Sequence, residues 1–280
     1  MTTQIIITAG GTSEPIDAVR RITNTSTGSL CAGIYDALAD DIGTRRESGW
    51  EIPSFQVHYV VSVSAVRPRP RESLPISFYP VTSVASVETA LGDIMAKHRI
   101  SYFIHGMAVS DFTKGYLIGR DTLADELAAA AYTAAACRAQ PDRESIRAAI
   151  TRVLERPERY MDSKAKVSSG SELMLSLVRT SKIIQKIKRW DPSVFLVGFK
   201  LLKNVTEEEL VRAASELAEK NRCDLVLAND AARISRDGHF GLLVKEGRVV
   251  GRYAAKREIA CGIAGRIMAD ALQKKEAKTI

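Results

Sequence analysis

Nowhere in the 280 residues does an apolar run reach the length of a bilayer, because Lys, Arg, Asp or Glu interrupts every hydrophobic stretch. A strand-like segment begins almost at Met1, so neither a leader nor a membrane partner is expected and a cytoplasmic chain is. Cysteine is scarce: Cys31, Cys137, Cys223 and Cys261 lack the close spacing of a zinc site or redox dithiol. The four histidines form no pair at ligand or triad spacing, and there is no nucleophile elbow. Neither Gly-Lys-Ser nor Gly-Lys-Thr occurs, which excludes a Walker loop. Aromatics make up only 6%, and none interleaves the basic stretch Arg67-Pro68-Arg69-Pro70-Arg71. Despite a net charge of +7, that stretch is expected to be a solvated loop and nucleic acid is not an expected partner.

What is present is an apolar fraction of 45%, enough for a sizeable core, in alternating strand and helix patterns. Strands are expected at Gln4–Ala9, Gln56–Val63, Ile76–Val81, Tyr102–His105, Leu173–Val178, Val194–Phe199 and Asp224–Ala228, with a hairpin turning at Glu246-Gly247. Helices are expected at Leu30–Ala39, capped by Ser26 or Thr27, at Ser83–His98 and Lys182–Trp190, from Thr206 to Lys220, and at Lys256–Leu272. The Ala-rich segment 123–155 reads as two helices with no evident place. The pattern predicts one α/β domain over 1–280, a Rossmann-like parallel sheet flanked by helices with a small hairpin or flap region, the flap near 163–171. Ligands then gather at the carboxyl ends of strands, where Gly10–Thr12, Met107–Asp111, Phe199–Lys200 and Asn229–Asp230 fall.

The glycine loop lacks the form of a dinucleotide site. Gly10-Gly11-Thr12 is followed by some fifteen residues of loop rather than a helix, and the second strand ends in Val63-Ser64 without a ribose-binding acid. A nicotinamide oxidoreductase and a non-catalytic nucleotide-binding module remain as alternatives. Longer strings are more specific. Ile6 to Arg20, continuing through Ile22-Thr23-Asn24-Thr25-Ser26-Thr27-Gly28, resembles the amino-terminal signature of phosphopantothenoylcysteine synthetases. His105 to Phe112, Lys166-Val167-Ser168-Ser169, Val197 to Leu201 and Leu227-Ala228-Asn229-Asp230 resemble that family's later motifs in the same order. The likeness is nearest to the bacterial type in which the synthetase stands alone.

The resemblance implies a ligase that joins 4′-phosphopantothenate to cysteine through an acyl-nucleotidylate, using CTP or, less expected, ATP with Mg²⁺, as a homodimer. Such chemistry needs placed donors and cations rather than a side-chain nucleophile. It implies that Asn24 and Lys166 are catalytic, the first orienting the intermediate and the second folding over the triphosphate. Arg20 is implied to hold the substrate phosphate across the dimer, with Arg21 able to swap roles. Met107 and Ala108 are implied to touch substrate through their backbone. Asp111 would accept from a ligand, or else cap a helix. Gly10, Gly11, Thr12, Ser26, Gly28, Phe199, Lys220 and Asn229 are implied nucleotide contacts. Ser29 and Cys31 depart from the family, standing where many members carry a basic residue and a glycine.

Overall fold

Ile5, Ile6 and Ile7 are fully buried and point alternately into two cores, because the strand that carries them lies inside a sheet covered on both faces. The computed structural model describes residues 2–136, 142–161, 172–235 and 238–279. In chain order the elements are β1 (Thr3–Ala9), β2 (Ser13–Pro15), β3 (Arg21–Thr23), α1 (Ser29–Glu47), β4 (Phe55–Ser62), β5 (Ile76–Val81), α2 (Val84–Lys97), β6 (Ile100–His105), β7 (Phe112–Gly119) and α3 (Arg120–Ala136). They continue as α4 (Arg143–Glu155), β8 (Leu173–Arg179), α5 (Ile183–Trp190), β9 (Phe195–Leu202), α6 (Glu207–Asn221), β10 (Leu225–Ile234), β11 (His239–Lys245), β12 (Arg248–Tyr253) and α7 (Lys256–Thr279). The elements fall into two compact units, one formed by the chain up to Thr12 with Thr23–Ser110 and everything from Ser181, the other by Ser13–Ile22 and Asp111–Thr180.

The first unit is built on a sheet in the order β12-β11-β10-β9-β6-β1-β4-β5. The six strands from β10 to β5 run parallel, and β11 and β12 add an antiparallel hairpin at one edge. Tyr35, Leu38, Ile263 and Ile267, from α1 and α7, share one core with the odd residues of β1. On the other face Leu91 of α2 and Ile187 of α5 pack with Phe103. Leu210 and Ala214 of α6 cover β10 and β11. The capping box expected at Thr206 forms on α6 with Glu209, and Ser83, at the expected start of α2, forms another.

α1 departs from expectation. Its N-cap is Gly28 at φ 70°, with no side-chain cap, and it runs on past Ala39 to Glu47. Ile42 stays on the buried stripe, while Asp41 and Arg45 pair on the outer face at 2.6 Å, so the helical period continues beyond the expected end at Ala39.

In the second unit β7 pairs antiparallel with β8. No strand is expected at β7, because Gly115 interrupts its apolar run. Tyr116 OH donates to Leu154 O at 2.8 Å, tying this sheet to α4. The Ala-rich segment forms α3 and α4, as expected; Asp142 caps α4 by accepting from Ser145 N at 2.8 Å. Glu126 of α3 accepts from the N–H groups of Glu158 and Arg159, both at 2.9 Å. Among the described residues no helix is long and apolar enough to cross a membrane.

Candidate functional site

The segment after β1 and the segment before α1 cross at van der Waals contact. A Cβ on Gly11 would lie 2.1 Å from the carbonyl oxygen of Asn24, and one on Gly10, which holds φ +89°, would lie 2.1 Å from Ser62 Oγ. Hydrogen bonds fasten this crossing. Gly11 N donates to Ser62 Oγ at 3.2 Å, Thr12 N to Ala108 O at 3.1 Å, Ala108 N to Gly10 O at 2.8 Å and Asn24 N to Thr12 O at 3.0 Å. Ser110 N donates to Thr12 Oγ1 at 2.8 Å. The expected nucleotide contacts at Gly10, Gly11 and Thr12 therefore meet a scaffold: the N–H groups of Gly11 and Thr12 that would cradle a phosphate are already engaged within the chain.

Asn24 joins the same knot through its side chain, Nδ2 donating to Ala108 O at 3.0 Å. Met107 N donates to Thr8 Oγ1 at 3.3 Å, and Thr8 Oγ1 also meets His105 Nδ1 at 3.0 Å. The N–H groups of both Met107 and Ala108 are thus taken, and the expected backbone contact to substrate has no free N–H at either residue. Burial pushes the pKa of His105 down to about 4, so its imidazole is neutral.

Beside this crossing lies a cavity of about 380 Å³ wholly within the first unit. The start of α1, residues 26–31, forms one wall; Met107 and Ala108, Phe199 with Lys200, Asn229 with His239, and Lys256 form the others. The expected contacts Ser26, Gly28, Met107, Ala108, Phe199 and Asn229 are therefore brought together. The first-turn amides of α1 and the helix dipole favour an anion there. Ser29 supplies no cation, yet Lys256 Nζ donates to Ser29 Oγ at 2.9 Å, so α7 delivers a positive charge to the first turn of α1. Cys31 is 2% exposed and its Sγ donates to Thr8 O at 3.4 Å. Its sulfur takes the space a Cβ on Gly106 would enter, at 2.3 Å, and burial lifts its thiol pKa to about 12.

Other expected residues lie elsewhere. Arg20 and Asp111 belong to the second unit. The Arg20 guanidinium sits 3.4 Å from the Asp17 carboxylate, whereas Arg21 Nε donates to Ser13 Oγ at 2.8 Å, folding that side chain back along its own hairpin. Asp111 precedes the strand β7, so it caps no helix. Lys220 is exposed in the last turn of α6, which leads into the amino-terminal start of β10, and it does not line the cavity. Asp230 lies in β10, where its carboxylate accepts from Ala232 N and Asn204 N, both at 2.9 Å, and the bond from Ala232 leads in holding its pKa below the usual range. Lys166 and the expected flap at 163–171 lie outside the described residues.

Two cavity residues, His239 and Lys256, carry no motif in the sequence. Asn229 pairs with Gly241 across the β10–β11 ladder, and His239, two residues from Gly241, shares its face. That register is a signal for His239. Lys256 opens α7, and nothing in the sequence joins it to Ser29.

The fold and cavity define a Rossmann-like α/β protein with an anion-accepting cleft at the carboxyl ends of its parallel strands. The chain belongs to the family described as the DNA/pantothenate metabolism flavoprotein C-terminal domain, which it matches over residues 1–117 and 128–271. It is 28% identical over 257 residues to the coenzyme A biosynthesis bifunctional protein CoaBC of Thermococcus kodakarensis, covering 91% of this chain and 46% of that protein. The chain thus spans about half the length of that curated relative. The solved structure of the DNA/pantothenate metabolism flavoprotein from Streptococcus pneumoniae is similar at 31% identity and a TM-score of 0.70, over 96% of this chain and 99% of that one. A Cab2 mutant in complex with phosphopantothenate-cysteine shares the fold at 14% identity and a TM-score of 0.61, over 98% and 89% of the two chains.

Proposed function

We propose that the chain is a phosphopantothenate–cysteine ligase, joining 4′-phosphopantothenate to cysteine at the expense of CTP, with ATP the less favoured nucleotide. The observation that carries the reading is the α1 terminus at Gly28–Leu30, with Lys256 at Ser29, facing one cavity with Ala108, whose carbonyl fixes Asn24. In the first step the pantothenate carboxylate attacks the α-phosphate, the bond to pyrophosphate breaks, and an acyl-nucleotidylate forms. In the second the cysteine amine attacks the acyl carbon, the nucleoside monophosphate leaves, and the amine proton passes to solvent. Both transition states gather negative charge, which first-turn amides and lysines placed beforehand stabilise without reorganising.

In this reading Ser26, Gly28, Lys256 and Lys200 receive the phosphates, and Phe199 flanks the base. The bond to Ala108 sets the amide plane of Asn24, so that it meets the pantothenate portion in one orientation. Family resemblance assigns the rest: Lys166 over the triphosphate, Asp111 as acceptor from a ligand, and Arg20 to the substrate's terminal phosphate across a homodimer. Lys220 is left out of the site. Among the described residues no group of three or more His, Cys, Asp or Glu side chains could hold a metal ion; Mg²⁺ would come with the nucleotide, held by its triphosphate oxygens.

The test is incubation with 4′-phosphopantothenate, cysteine, Mg²⁺ and either nucleotide, with the product identified by mass. Asn24→Ala is expected to cut amide formation at least about 100-fold while the melting temperature falls only slightly, since a positioned donor matters more to a transition state than to the fold. Near-normal product from that variant would sink the role of Asn24.

A further inference from the structure

Two buried polar atoms at the cavity have no hydrogen-bond partner among the described residues: Oδ1 of Asn229 and Nδ1 of His239. The two residues are 6% and 8% exposed, so bulk water does not serve these atoms, and leaving such a group unpaired costs about 1–3 kcal/mol. Their remaining polar atoms meet each other, Asn229 Nδ2 against His239 Nε2 at 2.5 Å. With the amide nitrogen donating, Nε2 accepts and the proton of the neutral ring sits on Nδ1. The two unpaired atoms are then a donor, Nδ1–H, and an acceptor, Oδ1. Turning the amide over and moving the ring proton to Nε2 exchanges the two roles, so in both arrangements the open positions are one donor beside one acceptor. Burial and the Lys256 ammonium both lower the His239 pKa, which keeps the ring neutral and preserves the acceptor.

This combination does not suit a phosphate, which brings acceptors only and is served by Lys256 and the α1 terminus. It suits a group that both donates and accepts. We propose that the His239–Asn229 pair holds the nucleoside portion of the activating nucleotide, donating one hydrogen bond to it and accepting one from it; this rests on the ligase reading above. Nucleosides carry that chemistry in two places. One is the amino edge of cytosine or adenine, where an exocyclic amine lies next to a ring nitrogen, and the other is the ribose diol. Phe199, Leu201 and Ile234 line the same cavity and give the nucleoside apolar cover. His239 and Asn229 are thus both binding and specificity residues, and each orients the other through their mutual hydrogen bond.

The experiment measures KM for nucleotide, phosphopantothenate and cysteine, with kcat, in wild type, His239→Leu and His239→Gln. His239→Leu is expected to raise the nucleotide KM roughly tenfold, as one lost buried hydrogen bond would, with kcat and the other two KM values held within about twofold. His239→Gln, which restores a donor and an acceptor, is expected to recover most of the loss. Analogues separate the sources: a nucleotide lacking the exocyclic amine probes the base edge, and 2′-deoxy and 3′-deoxy nucleotides probe the ribose. The analogue missing the contacted group should bind wild type as weakly as His239→Leu binds the parent nucleotide, and should lose nothing further in the variant. An unchanged nucleotide KM in His239→Leu overturns the proposal, as do equal rises for all three substrates, or every analogue losing as much in the variant as in wild type. Should wild type form no amide with any nucleotide, the ligase reading fails by itself. The thermal shift given by nucleotide alone then decides for the pair, supporting it if the shift is lost in His239→Leu and overturning it if the shift is equal in both proteins or absent from wild type.

Discussion

The glycine crossing and the Asn229–His239 wall both lie at the carboxyl ends of the parallel strands, and they are built on opposite rules. At the crossing, Gly10, Gly11, Asn24 and Ala108 close on one another until no Cβ fits at either glycine, and the donors that hold it are paired inside the chain. At the wall, two polar atoms are buried and left open. Buried polar groups are almost always paired in folded proteins, so a paired cluster speaks of stability and an open one of a ligand. The conspicuous motif is thus closed within the chain, and the inconspicuous histidine carries an open polar atom and lines the cavity.

The sharpest way to break this contrast is Gly11→Ala. The new methyl would have to displace the Asn24 backbone from 2.1 Å, and with it the bonds to Thr12 and Ala108. We expect a loss of about 3 kcal/mol or more, read as a clear fall in the urea midpoint. A variant that unfolds like wild type but binds nucleotide poorly would make the crossing a ligand site instead.

The next test is of pH. His105, packed at the crossing against Thr8, has its pKa lowered from 6.5 to about 4 by burial. Between those values the unfolded chain binds the proton and the folded chain does not, so the contribution is fully present above pH 6.5 and is lost as pH falls towards 4. The size is up to roughly 3 kcal/mol, from 1.36 kcal/mol per pKa unit. His58, whose pKa burial also lowers to about 4, adds a similar slope from the β4 side. His239, whose pKa burial also lowers, adds to it, so His105→Gln should remove a clear part, but not all, of the acid sensitivity seen in denaturant melts between pH 4 and 6.5. An unchanged slope would mean that His105 is not held neutral by its burial.

The parallel strands were largely legible, because β1, β4, β6 and β10 are apolar runs with helices between them. β7 was not: Gly115 breaks its alternation, and its pairing with β8 joins segments some sixty residues apart that no local pattern connects. The site was half legible for a similar reason. Ser26, Gly28, Met107, Ala108, Phe199 and Asn229 do meet at one cavity, each from a motif that ends a strand or opens a helix. At Gly10-Gly11-Thr12 the sequence does not separate a tight backbone crossing from a phosphate loop, because both require glycine and only the destination of the N–H groups distinguishes them. Lys256 could not be foreseen, since it meets Ser29 across 227 residues.

That lysine provides the smallest of the tests and the finest division of the cavity. If the α1 terminus takes the phosphates and the Asn229–His239 wall takes the nucleoside, Lys256→Met should weaken binding of nucleoside tri-, di- and monophosphates by decreasing amounts and leave the free nucleoside unaffected. The triphosphate is expected to lose about tenfold in affinity at low ionic strength, corresponding to about 1.4 kcal/mol. Part of that loss should vanish as salt rises, because the Debye length shortens to about 10 Å at 0.1 M and screens an exposed charge. Titration calorimetry across the phosphate series at two salt concentrations reads both dependences. A loss that is the same for nucleoside and triphosphate would mean that Lys256 serves the wall rather than the helix terminus, and the two would have to be treated as one subsite.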